Sequence, residues 1–538
     1  MANQTSNTTN RREWRDSPRA KATHYAHGAG TGTGGVGETS QELAFKGNSD
    51  VVSFAWTKDT ENPTGTLTLD IVPRTEYLYG PTRIKPDDLI LVESEANDGL
   101  TQKETQQKAG ANIISLVLVD RVGKAIKIGS RGEQIDVIRV ACSDFGKVLE
   151  KTAIVVDPGV AQAIGAPALL GTSGFGEAFL KIFGTSANTG RTAYTPNQTV
   201  VNLFNVMLAG SPTQFQLPNS TTTFQDLVDS FTYVQKVMIG ATLITNPFGL
   251  DVNTTLWGLM RQYSNEFLNE LFVDVRYEDP SDAIGSAEDR ARLIIEQDLG
   301  GTVTELQDTR PPGNRQFTLS LVFRQRPYDT DAFRALPSVQ VFSSECWDID
   351  VAYASHEIFN VFRVWGMQAG ATVFGEHLEY LVNQESVKRH GALRFEPQTI
   401  YTFPTLKDAD DYSKGNVQSV TPGQLISLYT KIIAIWNNQN ENILGGTIQM
   451  RYRPDIRVGQ RLVLSFADGT RIEGYIQTLS HNYEAQGESS TVLTIVRGVA
   501  YDAQGNAILF GDINALSLDA DLGTLGIQEA NTFAGGGV

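Results

Sequence analysis

The chain has 538 residues, of which 41% are hydrophobic and 20% charged; at a prior of ~150 residues per domain it has room for several compact units held by packing rather than cross-links. Its 44 Lys and Arg against 61 Asp and Glu leave a net charge of −17, which repels a phosphate backbone and excludes a DNA-gripping role. The start lacks the apolar core of a secretory signal and no later run reaches the ~18 residues of a membrane span, so a soluble protein made in the cytoplasm, without stable membrane association, is expected.

Residues 1–48 are poor in large apolar side chains, and six of the ten residues 28–37 are glycine. Alone, such a segment cannot offset its chain entropy, so a Gly-rich arm that is flexible or held by a partner is predicted. Its basic start (Arg11, Arg12, Arg15, Arg19, Lys21) on an acidic chain suits docking on a neighbour. From 49 to 160 the pattern becomes period-two runs at residues 65–71, 89–93, 115–120 and 134–142. Alternation bounded by Gly, Pro and Asp predicts strands at the density of a small antiparallel barrel. Cys142, like Cys346 later, sits in a strand-like run and reads as an unpaired, buried thiol.

Residues 161–335 read as an inserted α/β unit. A helix is expected near 224–238, and a clearer one over 256–271, where Trp257, Met260, Phe267, Leu268 and Leu271 recur near helical spacing. Strand patterns at 272–276 and 318–323 flank a polar loop through Pro311, Pro312 and Gly313. Residues 336–505 return to strands, with a helical excursion at about 400–445. Within it, Ile426, Leu428, Tyr429, Ile432, Ile433 and Trp436 give a helix over 422–437 one apolar face. Strands are expected at 446–451, 461–466, 471–479 and 490–497, and residues 506–538 form a polar, acidic second arm ending at Gly535, Gly536 and Gly537.

Two segments echo each other: Arg83-Ile-Lys-Pro-Asp-Asp-Leu-Ile-Leu-Val92 and Asp455-Ile-Arg-Val-Gly-Gln-Arg-Leu-Val-Leu464. Each holds an Ile, a basic residue, a polar turn and an apolar strand, and two more strands come after it. If this reflects a duplication, three chains would present six similar faces.

Catalytic signals fail on context. Gly30-Thr-Gly-Thr-Gly-Gly35 satisfies GxGxxG but has no strand before it and no helix after it. Gly171-Thr-Ser-Gly-Phe-Gly176 misses the nucleophile elbow because Phe175 stands where GxSxG requires glycine. The histidines are His24, His27, His356, His377, His390 and His481; His356-Glu357 lacks the second His of a zinc helix, and only His24 and His27 lie near each other. Asp348 and Asp350 would share one face of a strand, either as a hydrolytic carboxylate pair or, more ordinarily, as a charged edge. Trp347 and Trp365 read as core packing, with an interface role open to an exposed one. No catalytic, cofactor-binding or metal residue is therefore assigned, and no cofactor is expected.

Taken in order, further segments carry a resemblance. Ile84-Lys-Pro-Asp-Asp-Leu-Ile-Leu-Val92 with Val137-Ile-Arg-Val-Ala-Cys-Ser-Asp144 resembles the first tube-like barrel of contractile-tail baseplate hub proteins. Glu270-Leu-Phe-Val-Asp-Val-Arg276 and Leu321-Val-Phe-Arg-Gln-Arg-Pro-Tyr328 look like that family's α/β insertion. Asn360-Val-Phe-Arg-Val364 and Ser386-Val-Lys-Arg-His-Gly-Ala-Leu-Arg394 resemble a strand and its succeeding basic turn. Pro454-Asp-Ile-Arg-Val-Gly459 and Gly474-Tyr-Ile-Gln-Thr-Leu-Ser-His481 resemble the second barrel. The chain is thus similar to phage tail hubs and to the hub half of type VI secretion spike proteins.

The resemblance implies an α+β, β-rich fold with two antiparallel tube-like β-barrel domains, a small inserted α/β domain and flexible terminal arms. It implies a non-enzymatic homotrimer in the virion tail baseplate, assembled in the host cytoplasm, that adapts the hexameric tail tube to the trimeric central spike. Implied partners are the tail tube protein or tube initiator, the central spike, the tape-measure protein and baseplate wedge proteins, with DNA only in transit through the channel. The competing readings are a tail-associated cell-wall-degrading enzyme, with a carboxylate or metal cleft between 160 and 330, and a receptor-binding tail protein with exposed aromatic patches.

Overall fold

The computed structural model describes residues 18–25, 40–41, 50–79, 83–95, 112–128, 132, 134–151, 232–235, 255–277, 317–328, 330–353, 358–368, 371–372, 380–400, 422–437, 440, 443–485, 487–507 and 527–529. The glycine run 28–37, the 171–176 loop and most of both arms lie outside them.

In the first β region, strands β1 (Arg19–Tyr25), β2 (Val51–Asp59), β3 (Thr66–Ile71), β4 (Leu89–Glu95), β5 (Asn112–Ile128) and β6 (Gln134–Asp144) pair in the order β2-β3-β6-β5-β4-β1, all antiparallel. Alternation puts Leu67, Leu69, Ile71, Ile90, Val92, Val117, Ile138 and Val140 into one buried cluster with Phe54 and Trp56. At ~1.5–3 kcal/mol for each fully buried large apolar side chain, this packing fixes the register, because a one-residue slip would take these side chains out of the cluster they fill.

The inserted region contributes helix α1 (Leu256–Ser264) and strands β7 (Asn269–Tyr277) and β8 (Phe317–Gln325). Thr255 caps α1 by accepting from the Gly258 N–H, and Asn265, in a left-handed conformation at φ 52°, ends it. The helix expected to run to 271 therefore stops at Ser264, and Phe267, Leu268 and Leu271 belong to the turn and strand beyond it. The helix expected near 224–238 is corrected where it is described: Thr232–Gln235 is a strand, parallel to β8. Thr232, Tyr233 and Val234 are residues that favour strands, and pairing with β8 holds them in one.

Strands β9 (Ser338–Phe342) and β10 (Cys346–Tyr353), helix α2 (Pro422–Asn437), and strands β11 (Leu444–Arg451), β12 (Arg461–Ser465), β13 (Arg471–Glu484) and β14 (Ser490–Tyr501) complete the chain's main elements. Helix α2 has the predicted bounds; its Ile432, Ile433 and Trp436 are buried with Phe362, Val364, Leu381 and Leu268.

The second β region pairs in the order β10-β11-β14-β13-β12-β9. Strand for strand this repeats the first, with β10, β11, β12, β13 and β14 in the places of β2, β3, β4, β5 and β6. Irregularities recur at matching points: Val51/Ser53 matches Cys346/Asp348 on the outer strand, and Val119/Arg121 matches Ile476/Thr478 on the long one. The two echo segments occupy the same site in each unit. Asp87 at φ 66° stands where Gly459 stands at φ 78°. The Asp87 N–H donates to Val119 O and the Gly459 N–H to Ile476 O; Val119 N–H returns to Asp88 O and Ile476 N–H to Gln460 O. Lys85 N–H donates to the Asp88 carboxylate as Arg457 N–H does to the Gln460 side-chain carbonyl. The sixth strand breaks the repeat: β1 runs antiparallel to β4, whereas β9 runs parallel to β12.

The expected pair of separate barrels is not how the hydrogen bonds run. Residues 478–484 of β13 extend past β12 and pair with β2, so both units belong to one 13-stranded sheet with β10 at one end.

Candidate assembly surface

The join between the two units is an antiparallel ladder in which Leu479 faces Lys58, His481 faces Trp56, Tyr483 faces Phe54 and Glu484 faces Ser53. Phe54 stacks on Tyr483 with ring centroids 5.2 Å apart, and Tyr452 meets Phe54 edge-on at 6.4 Å. Each such pair contributes about 0.5–1.5 kcal/mol beyond its buried area. On the wet side, the Thr57 and Ser480 hydroxyls lie 3.2 Å apart. His481 is buried beside this ladder. Its Nε2–H donates to Ile456 O (3.3 Å), and its Nδ1 accepts from the Thr491 hydroxyl (3.0 Å), which itself accepts from Arg453 N–H. Burial pushes the His481 imidazole down to about 4, so it is neutral at pH 7.

Buried ions tie the inserted strands to the join. Arg324 of β8 pairs with Glu270 of β7 and donates to Gly459 O at 2.8 Å, while the Tyr475 hydroxyl donates to the other Glu270 oxygen at 2.7 Å. Arg457 donates to Asp274, to Val275 O and to Ile113 O, linking the β12 turn to β7 and β5. Lys58 of β2 donates to Asp144 and to Pro63 O; desolvation raises the Asp144 carboxyl although Lys58 pulls it back. Lys58, Asp144, Asp274 and Arg457 line a small crevice with Trp56, Leu479 and His481. Its carboxylates are each already paired with a cation and an N–H donor, an arrangement that holds elements together.

Several strand edges stay open among the described residues, and two of them match the strands of the join. One is β10, bonded to β11 on one side only. The other is the second half of β5: residues 112–118 pair with β4, whereas 121–128 pair only with β6. Large apolar side chains are exposed on both, with Ile126 at 61%, Ile128 at 71%, Trp347 at 45% and Tyr353 at 46%. An exposed, hydrophobic edge is a template for pairing with another chain.

The residues singled out in the sequence scatter. His24 is buried and its Nε2–H donates to Asp88 at 2.7 Å; His390 is exposed in the last turn of the helix Gln384–His390; His27, His356 and His377 lie outside the described residues. Cys142 and Cys346 are free, and burial pushes both thiols up, Cys346 to about 12. Asp348 and Asp350 share the exposed face of β10, the charged-edge arrangement. Trp347 is a correction: it is 45% exposed, standing at the bulge between Cys346 and Asp348 on a strand that, among the described residues, is bonded on one side only. Trp365 is half-buried with the Arg363 guanidinium 3.6 Å from its ring. Among the described residues no group of three His, Cys, Asp or Glu could hold a metal, and no helix is long and apolar enough to cross a membrane. The ion pairs at the join carry no sequence signal, since Glu270 and Arg324 are far apart in the chain and each reads as an ordinary strand residue.

No family model matches the chain and no curated protein matches it. Among solved structures it is similar to a tail protein from Neisseria meningitidis, at 10% identity over 89% of this chain and 96% of that one, with a TM-score of 0.40. It is similar to the 43 kDa tail protein of prophage MuSo2 from Shewanella oneidensis, at 10% identity over 89% and 98%, TM-score 0.43. A third is the Escherichia coli c3393 protein, a component of the type VI secretion system with structural similarity to the T4 bacteriophage tail proteins gp27 and gp5, at 8% identity over 86% and 74%, TM-score 0.35. TM-scores this low leave the functional reading to the chain's own strands.

Proposed function

We propose that the chain is a structural subunit of a phage tail: the baseplate hub, a homotrimer that adapts the hexameric tail tube to the trimeric central spike and forms part of the DNA channel. The observation that carries this reading is the repeated five-stranded unit, alike in strand order, in two matching bulges and in turn hydrogen bonds. Two like units in one polypeptide let three chains present six similar faces, which is what a threefold object needs to close a sixfold tube. The net charge of −17 suits a wall along which DNA slides without adhering. On this reading the tube protein or its initiator meets the ring on one side and the spike on the other, with tape-measure and wedge proteins around them. The native mass of the purified full chain tests it: three chains per particle are expected, and a lone chain at micromolar concentration overturns it.

A further inference from the structure

The open edge of β10 and the open second half of β5 are the two positions that the chain's own join fills elsewhere. In the join, β2 lies along residues 478–484 of β13. By the repeat, β10 matches β2, and residues 121–127 of β5 match 478–484 of β13, each segment starting just after the same bulge. Within one chain the match is used once. We infer that it is used a second time between chains: β10 of one copy pairs antiparallel with the second half of β5 of another copy of this chain.

The join dictates the register. Carrying its pairs across the repeat puts Tyr353 opposite Val122, Ala352 opposite Gly123, Val351 opposite Lys124, Asp350 opposite Ala125, Ile349 opposite Ile126 and Asp348 opposite Lys127. Apart from Lys124 opposite Val351, the side chains fit this placement without having been used to choose it. Ile126, exposed at 61%, meets Ile349 where the join stacks Tyr483 on Phe54. Tyr353, exposed at 46%, covers Val122. Asp348 and Asp350 fall on the face that carries Lys127, which Glu484 of its own chain already holds at 2.7 Å. Cross-strand apolar pairs and opposite charges are the contacts that stabilise a ladder. The contact is heterologous; where the rotation between copies closes, they form a ring in which joins within chains and joins between chains alternate.

The inference rests on the hub reading only for the number of chains. The test uses the purified full chain carrying both Ala125→Cys and Asp350→Cys, oxidised and run without reductant under denaturing conditions. Gly123→Cys with Ala352→Cys is a second matched pair in case one disulfide geometry is poor. Ala125→Cys with Val351→Cys, whose side chains would lie on opposite faces, is the control. A reducible species of linked chains is expected from at least one matched pair, in at least tenfold excess over the control. Native mass is measured alongside. An intact oligomer whose matched pairs cross-link no better than the control overturns this contact and leaves the hub reading standing. A cross-linked ring of some number other than three keeps the contact and overturns the trimer. A chain that stays single overturns both.

Discussion

The turn before β4 and the turn before β12 make the same backbone hydrogen bonds in different company. In the first, Asp88 takes the His24 Nε2–H from β1, and Asp87, with its side chain 67% exposed, reaches Lys147 at 3.1 Å. In the second, Gly459 has no side chain, and a methyl there would lie 2.8 Å from both Phe272 and Arg324 of the inserted strands. One turn is thus closed by the chain's N-terminal strand and the other by the insertion. The same local structure serves as a socket, and what fills it decides which residues its sequence can tolerate.

The sharpest way to break the second socket is to remove its ion. Arg324→Leu leaves Glu270 buried with the Tyr475 hydroxyl as its side-chain donor and no cation bonded to it, and stranding a buried carboxylate costs about 3–5 kcal/mol, less whatever the nearby Arg326 offsets. Denaturant unfolding of wild type and variant measures the loss. The first socket offers the contrast: Lys147→Ala removes a buried ammonium and its packed stem but leaves the exposed Asp87 and the part-exposed Asp120 to water, and is expected to cost less, about 1–2 kcal/mol.

This contrast marks what the sequence could show. The strands were legible because alternation is local, and α2 because its apolar face runs over several turns. The echo was legible because Ile84 and Ile456, Lys85 and Arg457, and the turns after them keep the same spacing up to Val92 and Leu464. The merging of the units was hidden: residues 478–484 look like the continuation of any strand, and only tertiary pairing reveals their second partner. The early end of α1 was hidden because Phe267, Leu268 and Leu271 continue helical spacing beyond Asn265, whose left-handed backbone stops the helix. The exposure of Trp347 goes with the bulge and the edge position of β10, which no residue of β10 announces.

Acid separates the two sockets next. His481 beside the second has a folded value of about 4 against ~6.5 unfolded, so the folded state holds fewer protons between those values. Its contribution is complete above pH ~6.5, falls as the pH drops from ~6.5 to ~4, and is constant below that. About 3 kcal/mol should be lost across this window at 1.36 kcal/mol per pH unit. Unfolding free energies between pH 7 and 4 check the slope, which should flatten in His481→Gln.

Exchanging residues between the sockets tests the comparison most directly. Gly459→Ala puts a side chain at φ 78°, where L residues lose about 1–2 kcal/mol, and its methyl must also displace Phe272 or Arg324. A total near 2–3 kcal/mol is expected, with part of it recovered when Phe272 is shortened to Leu in the same chain. The reciprocal Asp87→Gly relieves the strain at φ 66° but frees the unfolded chain and gives up the exposed contact with Lys147. Those terms oppose one another, and a change within about 0.5 kcal/mol is expected. If the two exchanges cost the same in denaturant unfolding, the occupants do not set the demands of the two turns, and the difference between Asp87 and Gly459 has no packing cause.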